Sequence, residues 1–129
     1  MPISIVRLGS PRRENEGVRL GTVRRPPRGV SKSRYAADDW YDVWLPVLAP
    51  SADLVMVALS GTSAKAWETF ARRYRSEMKR PEASHLLDAL AALSHSANFS
   101  VGCYCADESR CHRSLLREQL ASRGATIVE

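Results

Sequence analysis

An α/β domain with a short, mostly parallel sheet flanked by helices is what the sequence predicts, and three observations predict it. The stretch from 98 to 129 reads strand, loop, helix, strand: FSVGCY, CADESR, CHRSLLREQLASRG, ATIV. That is a βαβ unit, which makes parallel strands joined by a right-handed crossover. At the other end ISIVRL (3–8) alternates and is β-branched, as an opening strand does. Between them lie helical stretches with apolar stripes. At 129 residues the chain is expected to form one domain, 1–129.

The remaining elements follow in order. GSPRRENEG is polar and turn-forming, and a second extended piece (18–24) ends at Pro26–Pro27, which cannot continue a ladder. RGVSKSRYAADD reads as an exposed connector. In WYDVWLPVLAPS the residues Trp40, Trp44, Leu45 and Leu48 have helical spacing that Pro46 and Pro50 interrupt, so only partial burial is expected there. Ser51 is placed to cap a short helix, ADLVMVALS, that Gly61 closes. Thr62 or Ser63 opens a second helix whose Trp67, Phe70, Ala71, Tyr74 and Met78 form one stripe. Pro81 and Ser84 start a third, HLLDALAALSHS, with Leu86, Leu87, Leu90 and Leu93 expected to be buried. Gly124 stands just past the last helix.

Charge divides the chain. Residues 1–34 carry nine Lys/Arg against two acids, and the other 95 carry ten against twelve. A basic segment favours an anionic partner: a phosphate, a nucleotide or a nucleic-acid backbone, or else it is a solvated arginine-rich surface. No apolar run approaches the roughly 18 residues of a membrane span, and the N-terminus lacks the apolar stretch of a signal peptide. The three cysteines, an odd number, all lie between 103 and 111. That is no secreted disulfide framework, so a cytoplasmic location is expected.

Chemistry concentrates in Cys103-Tyr-Cys105-Ala-Asp-Glu-Ser-Arg-Cys111-His112-Arg113. Strand alternation puts Cys103 and Cys105 on one face, with Cys105 at the strand exit. Cys103 reads as a core thiol. Cys111 falls at a helix start, where unpaired N–H groups and the dipole lower thiol pKa values, and Arg110, His112 and Arg113 add positive character. A reactive thiolate on Cys105 or Cys111 is expected, with His112 as acid/base or orienting group. The ligand-binding candidates are Arg24, Arg28, Lys32 and Arg113, and the expected ligand is a small anion. His112 shares a helix face with Leu115, Leu116 and Gln119, which aims it at the sheet; Arg113 alternatively pairs with Glu118 or Asp107.

Other readings of these residues stay open. No cofactor is required, but Cys103, Cys105, Cys111 and His112 would complete a tetrahedral zinc shell in a metal-stabilised domain, although the spacing matches no common zinc motif. A reversible Cys105–Cys111 disulfide is another. A thiol phosphatase is disfavoured, because Ser109 and Cys111 stand six residues after Cys103 and Cys105 where an arginine is needed. The basic N-terminal region is the candidate for a nucleic-acid-binding module, though few aromatics accompany it before Tyr35.

The order of EGVRLGTVRR (16–25), PRGVSK (27–32), WLPVLAPS (44–51), FARRYRSEM (70–78) and CYCADESRCHR (103–113) resembles domain of unknown function family 488, in its YeaO-like branch. Arg24 matches the arginine of that branch's Asp-Arg-Leu-Trp segment, where this chain reads Val23-Arg24-Arg25-Pro26. The wider family often carries a Cys-x-Glu-x4-Cys-His-Arg type of segment, which the cysteine loop resembles. The resemblance implies an α/β fold and candidate positions, not a reaction.

Overall fold

In a computed structural model that describes residues 2–59, 61, 63–105 and 111–128, four parallel strands form one sheet. They are β1 (Ile3–Arg7), β2 (Val18–Gly21), β3 (Val43–Trp44) and β4 (Phe99–Cys103), in the order β1-β4-β2-β3. Ile3 pairs with Phe99 and Val18 with Phe99, so β4 lies at the centre, buried along its length. Its composition, FSVGC, suits a strand covered on both faces. The extended residues near the C-terminus join as a single parallel bridge, Ile3 to Ile127, rather than as the full strand expected from ATIV. They add to the outer side of β1, held by the Ile3 and Val128 amides.

The helices are α1 (Ala52–Leu59), α2 (Ala64–Glu77), α3 (Pro81–Leu93) and α4 (His112–Ser122). Ser51 caps the first through its hydroxyl and the Leu54 amide, and Ser63 caps the second by accepting from Ala66 N at 3.1 Å. Thr62 lies outside the described residues. The α2 stripe packs as its spacing demands, with Phe70, Ala71, Tyr74 and Met78 buried and Trp67 stacked on Phe70. These join Ile3, Ile5, Leu20, Phe99 and Val101 of the sheet and Leu115, Leu116 and Leu120 of α4 in the main core. Gly124 takes φ +82° just past α4, the left-handed conformation that ends a helix.

The α3 face differs from the expected leucine row. Leu87 and Leu90 are buried, Leu86 is half-buried, and Leu93 is 50% exposed. The buried face turns instead toward Ala83, Ala91 and Ser94. Ser94 accepts the Thr126 amide at 2.9 Å, so a small polar residue, and not Leu93, meets the C-terminal segment.

Connecting segments cover the sheet's other side, and charge is buried there. Arg19 is fully enclosed and binds Glu16 in a two-pronged pair, at 2.8 and 3.0 Å, while its second Nη donates to the carbonyls of Ser10 and Asp39. Ser100 of β4 donates to the same carboxylate at 2.7 Å. Burial acts to raise the Glu16 pKa, but the bonds from Arg19, Ser100 and the Arg13 amide hold it at about 2. One arginine of the basic N-terminal segment is thus a core residue, neutralised inside the fold.

Candidate functional site

The site grows from the C-terminal end of β4. Strand geometry sends Cys103 into a second apolar cluster with Leu8, Val23, Tyr41 and Cys111, while Tyr104 turns to pack against that cluster's edge beside Trp40. Cys105 follows and is exposed. Cys111 is the N-cap of α4, with extended backbone angles, so the thiol stands beside the first free amides of the helix. All three cysteines are free thiols, Cys103 and Cys111 buried.

His112, the first residue of α4, does face the sheet. It is buried, lies 5.7 Å ring to ring from Tyr74, and its Nε2 is 2.7 Å from the carbonyl oxygen of Thr22, just past β2. A carbonyl only accepts, so Nε2 carries the proton and Nδ1 presents its lone pair to Cys111 Sγ at 3.7 Å. Burial pushes the imidazole pKa down to about 4, against the bond to Thr22. The ring is a neutral strut between helix and sheet.

The three thiols perturb one another, and their pKa values part. The contacts with Cys103 and then Cys111, with the charge of Arg113 and against the effect of burial, move the Cys105 pKa far down. The same contacts with Cys105 and Cys111, reinforced by burial, move Cys103 far up. For Cys111 the Cys103 bond acts downward, but the Cys105 bond and burial prevail and push it up to about 11. The directions make Cys105 the most readily ionised of the three thiols, with Cys103 and Cys111 held on the protonated side.

Arg113 is the electrostatic counterpart. It is 4% exposed and donates through Nη2 to the Cys105 carbonyl. Its Nε is buried and has no partner among the described residues. Glu118, one partner expected for it, binds Arg75 instead at 2.8 Å; Asp107, the other, lies outside the described residues, as does Arg110. A buried guanidinium therefore faces the cysteines with no carboxylate among the described residues.

The other predicted ligand residues are distributed differently. Arg24 donates to the carbonyls of Pro46, Ala49 and Pro50, holding the single-turn helix Pro46–Leu48. Lys32 is exposed in a short helical turn, Lys32–Arg34. Arg28 lines an open groove of about 840 Å³ together with Arg7, Arg25, Trp40 and Tyr104. The sequence reading did not single out Arg7, Thr22 or Tyr104. Tyr104 carried a signal: it lies between two cysteines that alternation sends to the opposite side.

A metal ion would find a partial shell here. The donor atoms of Cys103, Cys111 and His112 lie within 4.8 Å of one another, and the Nε2–H bond to a carbonyl is how metal-binding histidines are commonly oriented. Cys105, the fourth ligand expected from the sequence, is not part of that group, so three of the four expected donors converge.

The fold and this cluster define a class: an all-parallel α/β domain with a thiol, imidazole and guanidinium group at the C-terminal end of its central strand. A family model described as the Active DUF488-N3 subclade matches residues 3–124, and the chain belongs to the DUF488 family. No curated protein matches it, and no solved structure does. No helix among the described residues is long and apolar enough to cross a membrane.

Proposed function

We propose that this protein binds a small anionic ligand at the C-terminal end of its parallel sheet and presents Cys105 there as a reactive thiolate. The observation that supports this most is Arg113, a buried cation whose Nε has no partner and which has no carboxylate beside it among the described residues. Leaving such a charge uncompensated costs several kcal/mol, on the order of what breaking a buried ion pair costs. A thiolate on Cys105, an anion bound beside it, or both would balance that charge. Cys103 and Cys111 donate to the thiolate, and the N-terminus of α4 adds its positive end. His112, kept neutral by burial and fixed in its tautomer by Thr22, positions Cys111 rather than shuttling protons.

Alkylation by iodoacetamide, followed residue by residue with mass spectrometry, tests this reading. Cys105 should react at least about tenfold faster than an ordinary cysteine below pH about 7, and inorganic phosphate should slow it. Alkylation of Cys105 only in the range of an ordinary thiol would end the proposal. Metal content belongs on the same anaerobically purified sample. About one zinc per chain with all thiols hidden would replace the thiolate by the metal-stabilised alternative.

A further inference from the structure

The groove beside the thiols supplies what the anion site by itself does not, a feature that selects among anions. We propose that it recognises a nucleoside monophosphate, with the base against Trp40 and Tyr104 and the phosphate on Arg25 and Arg28. The proposal rests on the anionic-ligand reading above and names its ligand class.

The position comes first. The groove is walled by the segment that leaves β1 (Arg7 to Ser10), by Tyr104 after β4, and by Arg25 to Arg28 beyond β2. These are the carboxyl ends of adjacent parallel strands, where open α/β sheets hold their ligands. Its volume of about 840 Å³ falls within the range of small-molecule sites.

Charge comes next, and it is selective. Four arginines of the same basic segment are occupied within the fold: Arg12 by Asp39 and Asp42, Arg19 by Glu16, Arg24 by three carbonyls, Arg34 by Asp38. Arg25 and Arg28 are exposed and make no side-chain bond among the described residues. Both face the groove, and no lining residue is acidic. Two free guanidiniums in an acid-free wall match a phosphate dianion, which they can grip with paired N–H donors.

Rings complete the recognition. Trp40 and Tyr104 meet edge to face, their centroids 5.9 Å apart at 75°, and both are partly exposed. The platform is tied to the cations: Tyr104 Oη donates to the Arg25 carbonyl at 2.9 Å, and Arg7 Nε donates to the Tyr104 carbonyl at 3.2 Å. Gly9, at φ +90°, lets the chain pass under Trp40, since a Cβ there would come within 3.0 Å of the indole. A phosphate alone has no use for that surface, whereas a base stacks on it in a sequence-tolerant way. One aromatic pair accommodates one base, which favours a mononucleotide over a strand. Tyr104 immediately precedes Cys105, so the ligand would lie next to the thiol.

Calorimetric titration of the full chain with AMP, GMP, CMP and UMP, set against ribose 5-phosphate and adenosine, tests the assignment. At least one monophosphate should bind about tenfold or more tighter than either fragment. Arg25→Glu with Arg28→Glu, both exposed and safe for folding, should remove that binding. Trp40→Ala should bring the nucleotide down to the level of ribose 5-phosphate. Ribose 5-phosphate or adenosine binding as tightly as every nucleotide would overturn the proposal. So would an oligonucleotide that binds far tighter, with a steep loss on adding salt. The same titration on Cys105→Ser protein, with alkylation run beside it, separates the two readings. Fast Cys105 alkylation without nucleotide binding removes the nucleotide assignment alone; nucleotide binding with an ordinary Cys105 sustains it and removes the thiolate.

Discussion

Nε2 of His112 donates to the carbonyl of Thr22 across 2.7 Å, and that bond decides which ring nitrogen faces the cysteines. Nitrogen NMR should show His112 as the Nε2–H tautomer, uncharged throughout the neutral range. Replacing His112 by Leu leaves a buried carbonyl unpaired and should cost about 1–3 kcal/mol in denaturant unfolding. An imidazole that charges near its ordinary pKa, or a stability loss well below that range, would contradict the strut described above.

Acid should find the Glu16–Arg19 pair. The folded carboxylate is held at about 2, below its ordinary 4.5, so its contribution is complete above 4.5 and disappears as pH falls toward 2. A shift of that size corresponds to roughly 3 kcal/mol. Glu16→Gln should abolish this part of the acid dependence and, by leaving Arg19 buried and unpaired, lower stability at neutral pH by about 3–5 kcal/mol. Unfolding titrations of both proteins across that pH window measure it.

For Arg113→Gln the effect should appear in reactivity more than in folding. Removing a positive charge beside Cys105 raises its pKa, so the pH at which alkylation falls to half its plateau should move up by about one unit. Arg113→Lys should restore part of the rate. Unchanged kinetics in the Gln protein would detach the guanidinium from the thiol.

Two glycines should respond to substitution for different reasons. A Cβ on Gly102, in the central strand, would lie 2.7 Å from the Val6 carbonyl and 2.9 Å from Leu8 Cδ2. One on Gly124 would meet nothing within 4 Å but would sit at φ +82°. Gly102→Ala should therefore destabilise by about 2–4 kcal/mol through overpacking, and Gly124→Ala by about 1 kcal/mol through backbone strain alone. Thermal melts of the two variants give the comparison.

What local pattern controls was legible in the residues. The α2 stripe, the Ser51 and Ser63 caps, Gly124 and the inward face of His112 all follow from spacing and capping chemistry, and each is where those rules place it. What depends on distant partners was not. Leu93 has helical spacing with Leu86 and Leu90, yet Ser94 takes the inner position because Thr126 arrives there. Arg19 looks like one more charge in a basic run until Asp39 and Ser10 bring their carbonyls from loops elsewhere. Arg24 and Arg28 are equivalent in composition, and only the fold sends one to Pro46 and Pro50 and the other to an open groove. Cysteine proximity was readable from 103, 105 and 111; the order in which they hold charge was not, since that depends on depth below the surface.

The central place of β4 also shapes how the chain comes together. β1 and β2 are made early, but the neighbour that joins them is residues 99–103, since the two do not pair with each other. Until β4 emerges during synthesis, two apolar strands stand ready on either side of an empty lane. Long-range parallel pairing of this kind slows folding and leaves strand edges open meanwhile. The segment that closes the lane is the one carrying Cys103 and leading directly into Cys105. The cysteine-bearing end of the molecule is thus assembled in the same step that completes the sheet, and a chain arrested before that step would carry neither.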